Sequence, residues 1–413
     1  MTKPPMLTAQ QALDHLLSHA KTVDESETVT TQAALGRVLA ESINSLVDVP
    51  PLDNTAMDGY AVRTADTKAP GNMLKVAQRI PAGSIGTNLE PGTAARIFTG
   101  APIPPGADAV VMQEDCTVQE NKIDQVQINI TPNSGQWIRR KGEDLAAGKT
   151  ALIAGAYLRP QELGVAASAG LTHLNVKRRI KVAAFFTGDE LALPGEPLKP
   201  GGIYNSNRDT LLACLKSLGC DATDLGIVPD RLDATRQALR QASKDHDLII
   251  TSGGVSVGEE DHIKPAVTAE GRLDLWQIAI KPGKPLAFGA VRKSDESKDG
   301  EAWFIGLPGN PVSSFVTFLL FVRPFILKLQ GREAITPQSY AMRADFDWLK
   351  ADRRNEFLRV KINSQGGLDL FPNQSSGVLT SASWGDGLVD CPPGQAIKAG
   401  DLVRYLPFSA LLS

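Results

Sequence analysis

The chain is poor in the residue types that build zinc sites, disulfide frameworks and histidine-based catalytic triads. Its 413 residues include four cysteines and five histidines. No Cys-x-x-Cys pair is present, the cysteines have no histidine partners at zinc-ligand spacing, and no histidine stands in the sequence context of a catalytic triad. We therefore expect core thiols rather than metal ligands or disulfides at the four cysteines, which are Cys116, Cys214, Cys220 and Cys391.

An excess of positive charge and a long hydrophobic run are also absent. The formal net charge is −3, which argues against a general binder of nucleic acid or of an anionic membrane, so any anion must be bound locally. The N-terminus has no apolar signal core, and the longest apolar run, around Phe315–Val322, is far shorter than a membrane span. These absences predict a soluble, cytoplasmic protein.

The length predicts two to four domains. Residues 181–330 alternate between apolar strand-like runs and helical segments, the pattern of an open, mostly parallel α/β sheet. Residues 51–144 contain short strands and many Gly and Pro turns, which predicts a mainly β module. Residues 331–413 predict a small C-terminal β-barrel, with a sandwich as the alternative. Residues 1–50 with 145–180, containing helices near 8–20 and 160–170, predict a helical, elongated linking domain.

The segment Asp247–Asp261 joins a strand, a glycine loop and a group of acids. Leu248, Ile249 and Ile250 have the continuous apolar character of a strand buried on both faces. Gly253 and Gly254, flanked by Ser252 and Ser256, would let backbone N–H groups approach a phosphate. The acids that follow offer oxygen ligands for Mg²⁺. The alternative is an ordinary turn before a solvated acidic helix. The acids are Glu259, Glu260 and Asp261.

Two other loops follow predicted strands, and loops at the carboxyl ends of parallel strands converge on one crevice. They are Thr187–Glu190 and Gly306–Pro311. Pro311 is suited to the first turn of a helix, where the N–H groups of the next three residues could bind an anion. A rigid turn into a packing helix is the competing interpretation. Lys281 and Lys284 flank a Pro-Gly bend and could contact phosphate, or could be solvated surface lysines.

The β module contributes a further polar set. Asp53, Asn54 and Asp58 precede a short strand, Thr99 lies in a Gly-Pro turn, and a basic and acidic run follows at 139–144. Carboxylates beside arginines could hold a polar heterocycle or simply neutralise one another, and both alternatives remain open. The run contains Arg139, Arg140, Lys141, Glu143 and Asp144.

Seven motifs in order resemble the molybdopterin molybdenumtransferase family of the MoeA type, to which the E domain of gephyrin is related. They are DNTAMDGYAV at 53–62, RIFTGAPIPPGADAVVMQE at 96–114, IRRKGED at 138–144, FFTGDEL at 185–191, TSGGVSVGEEDHIK at 251–264, IKPGKPLAFG at 280–289 and GLPGNPVSS at 306–314.

The resemblance implies the last step of molybdenum cofactor assembly, in which adenylylated molybdopterin receives molybdate and AMP is released with the help of Mg²⁺. It implies a homodimer whose cleft lies between the α/β domain of one subunit and the β module of the other. It is also compatible with contacts to other cofactor-assembly proteins and molybdoenzyme chaperones, but not to nucleic acid or a membrane. The implied catalytic residues are Asp58, Thr99, Asp144, Glu190 and Asp261, and the implied metal ligands are Glu190, Asp230 and Asp261. The implied substrate-binding residues are Arg139, Arg140, Thr187, Gly188, Ser252, Gly253, Gly254, Ser256, Lys281, Lys284, Pro308, Gly309, Asn310, Pro311 and Ser313.

The match is weaker toward the C-terminus and leaves two alternatives. Gln374–Gly377 resembles the Ser/Gly turn of the family, and Arg359 stands at a basic position, but Gln277 replaces a lysine found in some members. The related adenylyltransferase shares the α/β domain but has a GGTG-type loop, whereas this chain continues its glycine pair with Val255 and Ser256. A non-catalytic, gephyrin-like scaffold is the second alternative.

Overall fold

The computed structural model describes residues 6–119, 122, 124–255, 262–293 and 300–412. The chain forms two units, one made of Thr28–Leu35 and Leu39–Asn175, the other of Met1–Glu27, Gly36–Val38 and Val176–Ser413. We call them the N-terminal β unit and the α/β unit. The strands Ser26–Thr30 and His173–Lys177 each run across a boundary between the units. The finer division into four domains remains a prediction.

The N-terminal β unit is built on a six-stranded sheet. Alternate residues along its strands belong to two separate apolar clusters, one containing Tyr60 and Val111 and the other Ala61 and Val110, as the two-residue period of a strand requires. This agrees with the mainly β module that the sequence predicts. The strands, in spatial order, are Ala109–Met112, Gly59–Val62, Thr93–Ile97, Asn72–Ile80, Gln125–Ile128 and Cys116–Thr117.

Shorter elements complete this unit. Ile43–Asn44 pairs with Thr150–Leu152, and Asn54–Thr55 pairs with Ile138–Arg139. The remaining elements are the helix Pro160–Ser168 and the 3₁₀ turns Gln32–Ala34, Thr64–Asp66 and Gln113–Asp115.

The α/β unit contains the predicted open sheet. Its first four strands are parallel to one another, and Pro285–Arg292 is antiparallel to both of its neighbours, so five of the six strands run in one direction. Ser252 lies opposite Phe186 on one side and Leu307 on the other, which places the carboxyl ends of three strands at one edge. The strands, in spatial order, are Asp221–Val228, Lys181–Thr187, Leu248–Ser252, Glu301–Leu307, Pro285–Arg292 and Gly271–Gln277.

Helices cover both faces of this sheet, because successive side chains of the buried strand Lys181–Thr187 enter opposite apolar clusters. The strands Pro285–Arg292 and Glu301–Leu307 pair antiparallel, and residues 294–299 between them lie outside the described ranges. The helices are Ala9–His19, Ser206–Ser217, Leu232–Ser243, Ile263–Glu270, Pro311–Thr317 and Arg323–Leu329.

The π-helix Phe318–Val322 joins the last two helices into one run, Pro311–Leu329. Its length and hydropathy would suffice to cross a membrane, but 83% of its most apolar window is buried inside the protein. Val316, Phe321 and Phe325 belong to the largest apolar cluster of the unit. The run is thus a core helix, longer than the apolar stretch noted in the sequence.

A second, barrel-like sheet forms the C-terminal part, in agreement with the predicted barrel. One of its strands was not expected there. Ile280–Lys281, which lies in the chain between the α/β strands Gly271–Gln277 and Pro285–Arg292, pairs in parallel with Asn355–Glu356. The strands in spatial order are Ile280–Lys281, Asn355–Ile362, Gly387–Cys391, Leu402–Pro407 and Tyr340–Arg343; Leu368–Leu370 also pairs with Asn355–Ile362, and the helices are Thr380–Trp384 and Phe408–Leu411.

Candidate functional site

A cavity of about 760 Å³ lies in the α/β unit at the carboxyl edge of the parallel strands. It brings together the three predicted loops and the Lys281–Lys284 bend. The sequence-predicted residues that line it are Thr187, Gly188, Glu190, Asp230, Ser252, Gly253, Gly254, Lys281, Lys284, Pro308, Gly309, Asn310, Pro311 and Ser313. Asp261 and Ser256, together with Glu259 and Glu260, lie outside the described residues.

Asn207 connects two of these loops. Its Nδ2 donates to Ser252 Oγ at 2.9 Å and to the main-chain oxygen of Gly309 at 2.7 Å. Ser252 Oγ in turn donates to the Pro308 oxygen at 2.9 Å. Because this network is buried, its hydrogen bonds hold the glycine loop and the Pro-Gly-Asn-Pro loop in one arrangement. Asn207 was not predicted as a site residue, since an asparagine at the start of a helix has an ordinary structural role.

The glycine pair serves close packing between loops, which differs from its predicted role of presenting N–H groups to a ligand. Gly253 has φ +101°, and a Cβ there would lie 2.2 Å from the Thr187 oxygen. Its N–H donates to the Leu307 oxygen at 3.2 Å, so this donor is already used inside the protein. Gly254 has φ +61° and packs on Thr187 and Ile263.

Pro311 occupies the first turn of a helix, as predicted; Asn310 stands at the N-cap position, but its side chain makes no capping hydrogen bond. The prediction that the N–H groups of the next three residues could bind an anion is wrong for two of them. Val312 N–H donates to the Ser376 oxygen and Ser314 N–H to the Asn310 oxygen, both at 2.9 Å. Of the three, only Ser313 N–H lacks an acceptor within the described part of the chain.

Two carboxylate residues line the cavity. Glu190 is exposed and its carboxylate lies against Gly188, whose φ of +145° is a backbone conformation that favours glycine. The main-chain N–H of Asp230 donates to Asp189 Oδ1 at 3.2 Å, which connects the loops that carry Glu190 and Asp230. Across the described residues, no group of three or more His, Cys, Asp or Glu side chains is arranged to hold a metal ion.

The two lysines of the bend have different surroundings. Lys281 Nζ lies 2.8 Å from Glu356 Oε1 and 3.5 Å from Asp352 Oδ2. The described residues place no carboxylate within ion-pair distance of Lys284. Gly283 between them packs against Thr317, since a Cβ there would lie 2.4 Å from Thr317 Oγ1. Within the described residues, Lys284 is therefore the lysine of the bend that is not paired with a carboxylate.

The C-terminal sheet supplies cavity residues that the sequence analysis did not assign. Arg354 lines the cavity and holds Asp352 through Nε at 3.1 Å and Nη2 at 2.9 Å; these bonds keep the pKa of Asp352 far below its ordinary value. Gln374, Ser375 and Ser376 also line it. Only the resemblance of the turn to the family motif marked these last three residues in advance.

Arg359 supports that turn from behind. Its side chain is 1% exposed, and Nη2 donates to the Ser375 oxygen at 3.3 Å, while its main-chain N–H donates to Gln374 Oε1 at 2.9 Å. Burial lowers the pKa of the guanidinium to about 10. It remains a cation at neutral pH, buried directly behind the serine turn.

The polar residues of the N-terminal β unit form two groups. Asp58 Oδ1 accepts from both the N–H and the hydroxyl of Thr99, each at 2.7 Å, and these bonds lower the pKa of Asp58. Arg140 Nη1 donates to Asp53 Oδ2 at 2.7 Å, which supports the ion-pair interpretation for this arginine. Asp144 is exposed, with its N–H donating to the Val49 oxygen.

The short strand Asn54–Thr55 brings these motifs together within the unit. It pairs with Ile138–Arg139 on one side, and Thr55 N–H donates to the Ala101 oxygen on the other. Arg139 is exposed beside Asn54. Three motifs distant in sequence thus meet in one small region of this unit.

Comparison with known proteins agrees with this architecture along the chain. Residues 7–170 match a family model described as the MoeA N-terminal region, residues 183–328 a probable molybdopterin binding domain, and residues 341–408 the MoeA C-terminal region. A molybdopterin molybdenumtransferase of Haemophilus influenzae is 42% identical over 369 residues, which is 88% of this chain and 89% of that protein. The chain belongs to the molybdopterin molybdenumtransferase family.

Other relatives agree. The molybdopterin molybdenumtransferase of a Nostoc species is 35% identical and covers 98% of this chain and 94% of its own length. A crystal structure of the molybdopterin biosynthesis MoeA protein of Pyrococcus horikoshii superposes with a TM-score of 0.83 at 27% identity, covering 98% of this chain and all of that one. The similarity to these relatives therefore covers nearly the whole chain in both sequence and fold.

Proposed function

We propose that this protein is a molybdopterin molybdenumtransferase, which inserts molybdenum into molybdopterin in molybdenum cofactor biosynthesis. The observation that carries the proposal is the cavity at the carboxyl edge of the sheet. Its wall combines carboxylates, a lysine whose charge is available and a serine turn backed by a buried arginine, in a chain that matches the family over most of its length. These groups suit an anionic, phosphate-bearing substrate and a small oxyanion.

The proposed substrates are adenylylated molybdopterin and molybdate. Lys284, Ser313 and the Ser375–Ser376 turn offer a cation, an N–H donor and hydroxyls to oxyanions. Arg359 adds positive potential behind the turn without touching the ligand, because its guanidinium is fully buried. In AMP release, water adds to the phosphorus on the molybdopterin side of the phosphoanhydride and loses a proton to solvent, the bridging P–O bond breaks, and AMP leaves with that bond's electron pair.

The proposed ion is Mg²⁺. Glu190 and Asp230 line the cavity with carboxylate oxygens, which are the ligands that Mg²⁺ prefers, and Asp261 is the third proposed ligand from the sequence. When bound, the ion would neutralise charge on the phosphoanhydride. The carboxylates of Glu190 and Asp230 would hold it and orient the attacking water.

The remaining proposed residues belong to the N-terminal β unit. We propose that the protein is a cytoplasmic homodimer, in which Asp58, Thr99 and Asp144 of one subunit act on substrate held in the cavity of the other, with Arg139 and Arg140 beside them. Asp58 suits such a role, because its two bonds from Thr99 fix the carboxylate in its ionised form. Partner cofactor-assembly proteins and molybdoenzyme chaperones would receive the product.

The test is an incubation of the purified protein with adenylylated molybdopterin, Mg²⁺ and molybdate. We expect AMP release that requires molybdate, together with molybdenum bound to the pterin. Consumption of ATP would identify the adenylyltransferase instead, and binding without turnover would identify a scaffold. Glu190→Gln should abolish release, whereas Glu114→Gln, an exposed acid of the β unit, should leave it unchanged.

The shared site has a separate test. Asp58→Asn and Glu190→Gln subunits, each inactive alone, are dissociated, mixed in equal amounts and reassembled. If the site is composite, hybrid dimers contain one intact site, and about a quarter of the wild-type activity returns. Absence of recovery, with hybrid formation verified by mass spectrometry, would contradict the shared site.

A further inference from the structure

The segment Ile203–Asn207 lines the cavity although no sequence motif pointed to it. Two of its side chains are apolar and exposed there, Ile203 at 54% and Tyr204 at 45%. The other exposed aromatic side chains among the described residues, Trp137 and Tyr340, do not line this cavity. Large apolar side chains that are exposed inside an empty cavity provide a surface that the apolar part of a ligand can cover.

The Tyr204 ring is held at its hydroxyl end by one hydrogen bond and at its backbone by a short strand. Ile203–Tyr204 pairs in parallel with Leu191–Ala192, immediately after the loop that carries Glu190. Ile203 N–H donates to the Glu190 oxygen at 2.8 Å, and the Tyr204 hydroxyl donates to the Glu196 oxygen at 3.1 Å. A ring held at its hydroxyl end loses little conformational entropy when another ring stacks on it.

The next residue provides independent evidence for a ligand. Asn205 is 2% exposed and lines the cavity; its Oδ1 caps the helix Ser206–Ser217 by accepting from Arg208 N–H at 3.1 Å. Its Nδ2 is buried and has no acceptor within the described residues. A buried donor without an acceptor is costly, and an acceptor atom on a bound ligand would relieve that cost.

We infer that Tyr204, with Ile203 beside it, is the stacking platform for the planar heterocycle of the substrate. This inference rests on the proposed function, because the proposed substrate carries two such rings, an adenine and a pterin. Both have a flat π-face for stacking and acceptor atoms at the ring edge for Asn205 Nδ2. The platform selects for a ring and not for a phosphate, since neither side chain carries charge.

The test measures binding of three probes by calorimetry: AMP, 6-hydroxymethylpterin and ribose 5-phosphate, which has no ring. We expect Tyr204→Ala to weaken one ring-bearing probe by about tenfold and to leave ribose 5-phosphate unchanged. Weaker AMP binding assigns the platform to adenine, and weaker pterin binding assigns it to the pterin. If Tyr204→Ala binds all three probes as tightly as wild type does, or loses affinity for all three by the same factor, the inference is overturned.

Two controls accompany this variant. Tyr204→Phe keeps the ring and loses only the bond to Glu196 that holds it, so its affinity for the ring-bearing probe should lie between those of wild type and Tyr204→Ala. Tyr340→Ala removes an equally exposed tyrosine from the C-terminal sheet and should change no affinity. Thermal melting verifies that each variant is folded.

The inference and the proposed function can fail separately. Normal molybdate-dependent turnover by Tyr204→Ala with unchanged KM would overturn the platform and leave the proposed function standing. A wild-type protein without turnover, whose AMP or pterin affinity nevertheless falls in Tyr204→Ala, would refute the function and support the platform.

Discussion

Asn207 Nδ2 lies 2.9 Å from Ser252 Oγ and links the first turn of the helix Ser206–Ser217 to the end of the central strand Leu248–Ser252. The same amide donates to the Gly309 oxygen. One side chain therefore sets the spacing between two loops of the cavity. Removing it should separate those loops without altering the sheet below them.

Asn207→Ala should lower the free energy of unfolding by about 1–3 kcal/mol, because two buried acceptors lose their donor. Substrate affinity should fall with it, since the loops that line the cavity are no longer held together. Urea unfolding and AMP binding measure the two effects. Asn129→Ala removes an exposed bond to Thr117 and should cost less than about 0.5 kcal/mol. Equal losses in the two variants would contradict the role of Asn207.

Gly253→Ala tests the close packing of the glycine loop. A Cβ at Gly253 would lie 2.2 Å from the Thr187 oxygen, so the strand ends must move apart. The matched control is Gly195→Ala, which has a similar φ of +96° but no atom within 4 Å of the added carbon. We expect Gly253→Ala to be less stable than the control by about 1–3 kcal/mol in thermal unfolding. Similar stabilities of the two variants would show that the positive φ of Gly253, and not its close packing on Thr187, is what requires a glycine there.

Lys281 and Glu356 should behave as a coupled pair. Glu356 is 2% exposed, so Lys281→Met leaves a buried carboxylate without its cation and should destabilise the fold by about 1–3 kcal/mol. Adding Glu356→Gln removes that charge and should restore most of the stability. A double-mutant cycle in urea measures the coupling, and additive effects would refute it.

Lys284→Met should have the opposite profile, with stability near wild type and weaker binding of phosphate-bearing ligands. Its charge is not used by any described carboxylate, so its removal costs the fold little, whereas an anion in the cavity loses a cation. We expect about a tenfold loss of AMP affinity, measured by calorimetry. If Lys284→Met loses stability instead of affinity, the distinction between the two lysines is wrong.

Thr99→Val should raise the pKa of Asp58 toward its ordinary value near 3.8, because it removes the hydroxyl that donates to the carboxylate and keeps the N–H. The pKa of the folded carboxyl lies below that of the unfolded chain. Its contribution to stability is therefore complete above the unfolded pKa and is lost as the pH falls through the folded pKa. Because Thr99→Val raises the folded pKa, the pH range between the folded and unfolded pKa values of Asp58 should become narrower.

Carboxyl NMR titration measures the pKa of Asp58 directly. Thr93→Val removes a comparable hydroxyl, which donates to the Glu90 oxygen, and should leave the Asp58 titration unchanged. If the pKa of Asp58 is the same in Thr99→Val as in wild type, the Thr99 N–H alone lowers it and the hydroxyl has no effect.

The sequence was a sufficient guide to the order of helices and strands in the α/β unit. The alternation predicted for residues 181–330 is observed as the strands Lys181–Thr187 and Asp221–Val228 and the helices Ser206–Ser217 and Leu232–Ser243, because apolar periodicity and Gly/Pro punctuation are local signals. The same locality explains the correct convergence of loops at one sheet edge. The placement of Ile280–Lys281 in the C-terminal sheet was missed, since its partner Asn355 lies far along the chain.

The sequence by itself determined the family, the fold class and the cavity's position, because motifs in order and the rule for parallel strands require no distances. The tertiary structure alone decided which donors and charges remain for a ligand. Gly253 and Val312 use their N–H groups on Leu307 and Ser376, and Glu356 neutralises Lys281 while Lys284 keeps its charge. Each of these contacts joins residues far apart in the chain, so packing decides them and local sequence does not.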